Sequence, residues 1–273
     1  MFLEDGKYVA IEPGVELFVQ DVGEGEPIVL LPGWTFSSEI FHKQVAHFKQ
    51  THRVIAIDPR SQGRSIATLH GNNYATHGSD VKKVLDSLEI KAAHFVGWSF
   101  GCLTIWEYVR QFGTESILSS VLVDLSAKPL SINHEEDWVE GPLDEIAGAY
   151  NAYTISASAQ RDFITYYATE VMVQRDLTEE ELTWILEQSL QTPYYAAAHL
   201  FASGMFSDYR EELNLLSEAV PTLTIAAEHW AETAQRFVSK HAPQSQFASF
   251  GGHLMFWEYP EQFNEKVSSF LQR

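Results

Sequence analysis

Cysteine is nearly absent from this chain of 273 residues, since Cys102 is the only one. A lone cysteine excludes an internal disulfide, and the lack of a disulfide framework fits a reducing compartment. No run approaches the roughly 20 apolar residues that a membrane span needs. Residues Met1 to Lys7 are partly acidic and lack the apolar core of a signal peptide. These absences predict a soluble, cytoplasmic protein.

Basic residues are also scarce: 18 Lys and Arg stand against 37 Asp and Glu, for a net charge of −19. Nucleic-acid binding needs a basic surface, and anionic membranes repel an acidic protein. The composition therefore disfavours both nucleic acid and anionic membranes as partners. The sequence carries no signal for an oligomeric state.

Strand-like runs are missing from about residue 128 to 218, where helical patterns rich in Tyr, Trp, Phe and Ala prevail. On both sides, buried-strand runs alternate with helical patterns at 27–31, 53–58, 94–96, 120–125, 221–227 and 246–250. The alternating segment 15–19 is typical of an antiparallel edge strand. An interruption of roughly 90 residues is too long for a loop. We expect an α/β core formed by residues 1–126 and 216–273, with an inserted helical cap over 127–215.

The sequence Gly97-Trp98-Ser99-Phe100-Gly101 lies between a predicted strand and a helical pattern. A G-x-S-x-G motif in this position is typical of a nucleophile elbow, a turn so tight that the residues two before and two after the serine lack side chains. The helix N-terminus behind the serine also favours developing negative charge. Ser99 is therefore the candidate nucleophile.

A serine hydroxyl needs a base within hydrogen-bond reach. Of the eleven histidines, His253 is the best candidate, because it follows the last predicted strand and so lies at the carboxyl edge of the sheet. An oxyanion hole needs backbone N–H donors. We expect these from Phe100, directly after the serine, and from Trp34, in the Pro-Gly-Trp loop after the 27–31 strand.

Four segments occur in one order: 23–34 (Gly-Glu-Gly-Glu-Pro-Ile-Val-Leu-Leu-Pro-Gly-Trp), 58–65 (Asp-Pro-Arg-Ser-Gln-Gly-Arg-Ser), 97–101, and 252–263, which begins Gly-His-Leu-Met-Phe-Trp. Together they resemble the α/β-hydrolase superfamily, in the branch with a helical cap after the sixth strand, and bacterial carboxylesterase-like hydrolases in particular. The resemblance implies a mostly parallel eight-stranded sheet with helices on both faces. It also implies a Ser/acid/His triad with no metal or organic cofactor.

The chain departs from this family in two places. Many relatives carry a histidine where this chain has Pro32, and Trp230 stands where the triad acid usually follows the seventh strand. Asp124 ends the sixth strand, the position used by haloalkane dehalogenases and cofactor-independent quinolone dioxygenases of this superfamily, and we expect it to replace the usual acid. Glu228 and Glu232 lie near the usual position and remain alternatives.

Several aromatic residues are candidates for a pocket beneath the cap. Trp98 is the predicted substrate contact, and the further candidates are Phe36, Trp138, Tyr150, Tyr153, Tyr166 and Tyr167. Cys102 has no base of its own nearby in the sequence and is interpreted as a small packed residue.

The leading functional prediction is a serine hydrolase that cleaves an ester or related acyl bond of a small, largely apolar substrate. One alternative is a cofactor-independent oxygenase of the quinolone dioxygenase type, in which a His/Asp dyad deprotonates the substrate. Another is a hydrolase-like signalling protein that acts through a partner, since residues 205–213 resemble that group.

Overall fold

Eight strands form one sheet in a computed structural model that describes residues 6–131, 138 and 140–272. They are β1 (Gly6–Glu12), β2 (Val15–Val22), β3 (Pro27–Leu31), β4 (Arg53–Ile57), β5 (Ala93–Trp98), β6 (Ile117–Val123), β7 (Thr222–Ala226) and β8 (Gln246–Ser249). The order across the sheet is β1-β2-β4-β3-β5-β6-β7-β8. Strands β3 to β8 pair in parallel, while β2 is antiparallel to both of its neighbours. The predicted eight-stranded, mostly parallel sheet is confirmed.

The central strands are buried on both faces, because helices cover the two sides of the sheet. The helices are α1 (His42–Phe48), α2 (Tyr74–Ser87), α3 (Gly101–Phe112), α4 (Leu143–Tyr153), α5 (Ala157–Tyr167), α6 (Glu179–Ser189), α7 (Tyr194–Met205), α8 (Arg210–Ala219), α9 (Ala231–His241), α10 (Met255–Glu258) and α11 (Pro260–Leu271). Two apolar cores result, one on each face of the sheet. Within the described residues, no helix is long and apolar enough to cross a membrane.

The edge of the sheet differs from expectation. The segment predicted as the edge strand is β2, but β1 pairs with it along the outer side, from Gly6–Gln20 to Glu12–Val15. The prediction was wrong because β1 is mostly exposed and carries little of the apolar pattern that marks a buried strand. The residues before Gly6, including most of the segment examined for a signal peptide, lie outside the described part of the chain.

Between β6 and β7, the described residues contain helices α4 to α8 and no strand of the main sheet. An isolated bridge joins Leu130 to Gly141. Helix α8 packs against α3 of the core and spans residue 215, at which the predicted cap ends. The division of the chain into core and cap stays a prediction.

The parallel strands bring the candidate site together. Because β3, β5, β6, β7 and β8 all run in the same direction, the loops that follow them meet at one edge of the sheet. Those loops carry Gly33, Ser99, Asp124, Ala227 and His253 respectively.

Candidate active site

Ser99 occupies a strained turn between β5 and α3. Its φ is +52°, a conformation that side-chain-bearing residues rarely adopt and that costs about 1–3 kcal/mol. The flanking glycines make room for this turn: a Cβ on Gly101 would lie 2.2 Å from the carbonyl oxygen of Leu31, and one on Gly97 would lie 2.8 Å from the carbonyl carbon of Gly101. The backbone N–H of Ser99 donates to the Val123 carbonyl at 2.7 Å, which holds the turn against β6. The local geometry is that of a nucleophile elbow.

The loop after β3 lies directly against the serine. A Cβ on Gly33 would come within 2.9 Å of the Ser99 Cβ, so only glycine allows this approach. Trp34 follows, and its indole N–H donates to the Ala197 carbonyl of α7 at 2.8 Å. Trp34 and Phe100 line the same cavity as Ser99. Their positions are compatible with backbone donation to an oxyanion, and that role stays a prediction.

His253 and Asp124 are in direct contact. Nδ1 of His253 lies 2.7 Å from Oδ2 of Asp124, and both side chains are buried. The other carboxylate oxygen, Oδ1, accepts from the backbone N–H of Ala227 at 2.6 Å and from the indole N–H of Trp230 at 2.8 Å. Three donors therefore surround Asp124 and fix its orientation. His253 also lines the cavity that contains Ser99.

Trp230, which stands where the resemblance places the triad acid, is a hydrogen-bond partner of Asp124. It belongs to a short 3₁₀ turn, Glu228–Trp230, that follows β7 beside β6. Its indole supplies a hydrogen bond to the relocated carboxylate. Glu228 and Glu232 are exposed, and the Glu232 carboxylate lies 3.5 Å from Arg236. Of the three candidate acids, Asp124 is the one that contacts His253; its catalytic role stays a prediction.

The loop that carries His253 is held by two neighbouring elements. The Trp98 indole donates to the His253 carbonyl at 2.8 Å, and the two rings lie 5.2 Å apart. A π-helical turn, Ala168–Met172, extends α5, and the Met172 carbonyl accepts from the Leu254 N–H at 2.7 Å. Such turns are frequent at functional sites. Trp98, predicted as a substrate contact, thus borders the cavity and also positions the histidine loop.

The cavity has a volume of about 370 Å³ and mainly apolar walls. Among the aromatic candidates, Phe36, Trp98, Tyr166 and Tyr167 line it. Trp138 packs instead beside Trp230 and Phe237, and Tyr150 is partly exposed beside Phe201, so neither is among the lining residues. The side chain of Tyr153 lies outside the described residues. Sequence pattern cannot separate these groups, because some aromatic residues face the cavity and others pack against neighbouring helices.

Cys102 is fully buried on α3, and its thiol donates to the Gly97 carbonyl at 3.2 Å. Burial raises the pKa of this thiol far above its usual range. The thiol is therefore a packed group rather than a nucleophile, as interpreted from the sequence. Among the described residues, no group of three His, Cys, Asp or Glu side chains is arranged to hold a metal ion.

Glu140 is a cavity residue that the sequence pattern does not identify. Its carboxylate lines the cavity together with Ser99 and His253. Burial raises the pKa of Glu140 to about 7; the charge of His253 lowers it, and the negative charge of Asp124 raises it further. Glu140 lies in the connection between β6 and α4 and belongs to no motif, so only the folded structure reveals it.

The chain is similar to known proteins both in sequence and in fold. The model of the alpha/beta hydrolase fold family matches residues 26–168. The chain belongs to the α/β-hydrolase fold family. It is 26% identical to the AB hydrolase superfamily protein YisY of Bacillus subtilis, over 97% of this chain and 98% of that protein.

Two further proteins are similar to this α/β-hydrolase over almost its whole length. It is 25% identical to a putative non-heme chloroperoxidase of Synechocystis, over 94% of this chain and 95% of that protein. An esterase structure from Exiguobacterium antarcticum superposes with a TM-score of 0.87 at 21% identity, covering 98% of this chain and all of that one. The structural likeness confirms the α/β-hydrolase fold predicted from the sequence.

Proposed function

We propose that this α/β-hydrolase is a serine hydrolase that cleaves an ester or related acyl bond of a small, largely apolar substrate. The observation that carries the proposal is the Asp124–His253 contact at 2.7 Å, which borders the cavity that Ser99 also lines. A buried carboxylate bonded to Nδ1 selects the tautomer whose Nε2 is free to accept a proton.

The proposed reaction begins when the Ser99 hydroxyl attacks the substrate carbonyl while His253 takes its proton. Backbone N–H groups of Trp34 and Phe100 donate to the oxyanion of the tetrahedral intermediate. His253 then gives the proton to the leaving alkoxide, and an acyl-enzyme remains on Ser99. Water, deprotonated by His253, attacks the acyl-enzyme to form a second tetrahedral intermediate. The bond to Ser99 Oγ then breaks, His253 returns the proton to that oxygen, and the acid is released. Asp124 stabilises the imidazolium in both halves of the reaction.

The walls of the cavity support a small apolar substrate. Trp34 lies 5.7 Å from Phe163 and 5.4 Å from Phe201, ring centre to ring centre, and these rings form one side. A volume of about 370 Å³ is at the lower end of ligand-pocket sizes. An ester with a short acyl chain fits these dimensions.

A second candidate function is the cofactor-independent oxygenase, which the buried His253–Asp124 pair also supports. In that reaction the pair deprotonates the substrate, and the serine only positions it. The strained elbow at Ser99 is compatible with both reactions, so turnover of esters and of quinolones decides between them.

The test is a chain-length series of coloured esters, run beside quinolone turnover under oxygen. We expect the wild type to hydrolyse short esters, and Ser99→Ala and His253→Ala each to abolish hydrolysis, because the triad acts as a unit. Quinolone consumption that survives Ser99→Ala, with no ester hydrolysed, would replace the hydrolase by the oxygenase. A folded protein with neither activity would support the signalling alternative.

A further inference from the structure

Glu140 lies at the catalytic end of the cavity on a fixed backbone. Its N–H donates to the Pro129 carbonyl at 2.8 Å, next to the bridge that joins Leu130 to Gly141. These contacts tie the backbone at Glu140 to Pro129 and Leu130, which follow β6, the strand that precedes Asp124. The backbone that carries Glu140 is therefore anchored next to the candidate site.

The charges that line the cavity are unbalanced. Among the described residues that border it, two carboxylates, Glu140 and Glu145, and two imidazoles, His229 and His253, carry the titratable charge, and no lysine or arginine is present. Glu145 is exposed and marks the outer part of the wall. Glu140 is half-buried and lies near Asp124, whose negative charge acts on it. A substrate with an anionic group meets repulsion here, whereas a cation meets attraction.

Aromatic side chains line the same cavity. The rings of Trp34, Phe163 and Tyr167 form a connected series, with Phe163 and Tyr167 stacked at 5.5 Å. Tyr167 also lies 5.7 Å from the His253 ring, edge to face. A carboxylate combined with aromatic faces is the arrangement that recognises ammonium groups, because both attract a positive charge that is weakly hydrated.

We propose that Glu140 and the aromatic walls select acyl substrates with an ammonium group, so that the preferred substrate is a cationic ester rather than a neutral or anionic one. This inference rests on the proposed hydrolase function. The cation lies against Glu140 while the ester carbonyl is at Ser99. Glu145, at the exposed outer part of the cavity wall, adds electrostatic attraction for the cation.

Three thioesters with one acyl group provide the test, because the released thiol is measured with a chromogenic reagent. Butyrylthiocholine carries a quaternary ammonium, 3,3-dimethylbutyl thiobutyrate is its neutral isostere, and S-butyryl 3-mercaptopropanesulfonate is anionic. In the wild type we expect kcat/KM to favour the cation over the isostere by about tenfold, and the anion to be at least about tenfold worse than the isostere. In Glu140→Gln, the cation-to-isostere ratio should fall to about threefold or less.

The control is Glu265→Gln, which removes the same charge from an exposed position on α11, outside the cavity. Its cation-to-isostere ratio should equal that of the wild type. A lower ratio in Glu265→Gln would show that the cation preference comes from the net negative charge of the whole protein. A wild type without cation preference, or a preference unaltered in Glu140→Gln, would overturn the proposal while leaving the hydrolase in place.

If the protein hydrolyses none of the thioesters, binding measurements test the cation site independently of the proposed hydrolase activity. Choline and 3,3-dimethylbutanol can be titrated against the wild type and Glu140→Gln by tryptophan fluorescence, since Trp34 and Trp98 line the cavity. Stronger binding of choline that depends on Glu140, without thioester cleavage, would retain the cation site and reject the hydrolase. Equal binding of the two alcohols would reject the cation site.

Discussion

Replacing Asp124 by asparagine should reverse the tautomer of His253, because the two carboxylate oxygens have different partners. Oδ1 accepts from the Ala227 N–H at 2.6 Å and the Trp230 indole N–H at 2.8 Å, while Oδ2 faces Nδ1 of His253. Asparagine has one oxygen, and two donors require it at the Oδ1 position. Its NH₂ group then points at Nδ1, which must become an acceptor. The proton moves to Nε2, the nitrogen that has to accept from Ser99.

The size of the preference for this amide orientation follows from the two hydrogen bonds at Oδ1. The opposite amide orientation would place NH₂ against two buried donors, and each buried group left without a partner costs about 1–3 kcal/mol. The combined bias of about 2–6 kcal/mol holds the amide in the damaging orientation in more than about 95% of molecules. We expect turnover to fall by roughly 10⁴, as a wrong tautomer causes in serine proteases. The assay is kcat/KM on a coloured ester, with ¹⁵N NMR of His253 reporting the tautomer and thermal melting reporting the fold.

Trp230→Phe is the matched control, because it removes one donor and keeps an aromatic ring beside the site. Asp124 then retains its bonds to Ala227 and His253. The loss of one hydrogen bond to a charged group, about 1.5–3 kcal/mol, is shared between fold and site. Activity should drop by about tenfold at most. Full activity in Asp124→Asn, or a loss in Trp230→Phe as large as that of Asp124→Asn, would refute this reasoning.

Two further predictions concern the stability of the fold. Burial, reinforced by the nearby guanidinium of Arg60, lowers the pKa of His77 to about 3. Below pH 6.5 the unfolded chain therefore binds a proton that the folded chain does not. The free energy of unfolding should fall by about 2 kcal/mol from pH 7 to pH 5. Denaturant titrations at both pH values should show that His77→Gln loses this part of the pH dependence and that the exposed His70→Gln keeps it. Gly101→Ala should lower the free energy of unfolding by about 3 kcal/mol, since its Cβ would lie 2.2 Å from the Leu31 carbonyl oxygen. Gly148→Ala on α4 should be neutral or slightly stabilising, because no atom lies within 4 Å of its Cβ. Urea denaturation measures both. Equal effects of the two alanine variants would contradict the close packing behind the elbow.

The sheet and the residues at its carboxyl edge could be predicted from the sequence for a physical reason. Strands buried on both faces need near-continuous apolar runs, and such runs precede Gly33, Ser99 and Asp124. Parallel strands then bring the following residues to one edge without further information. The outer strand β1 lacks this signal, because an exposed edge strand needs no apolar run.

Other features depend on contacts between distant parts of the chain. The indole of Trp230 reaches Asp124 because β6 and β7 are neighbours. The sequence predicted that Asp124 replaces the usual acid, but it gave no sign of this hydrogen bond. The pKa of Glu140 is raised by burial in a cavity whose walls come from distant parts of the chain. The π-helical turn that supports the His253 loop likewise has no local pattern. Such residues are defined by tertiary packing, which short motifs do not encode.

The proposed hydrolase depends on Ser99 being a nucleophile that His253 activates. The most direct measurement is the rate of labelling by a fluorophosphonate, with the modified peptide identified by mass spectrometry. We expect rapid modification of one residue per chain, at Ser99, with labelling greatly slowed in His253→Ala. A folded wild type that remains unlabelled, or that reacts at the same rate without His253, would contradict it.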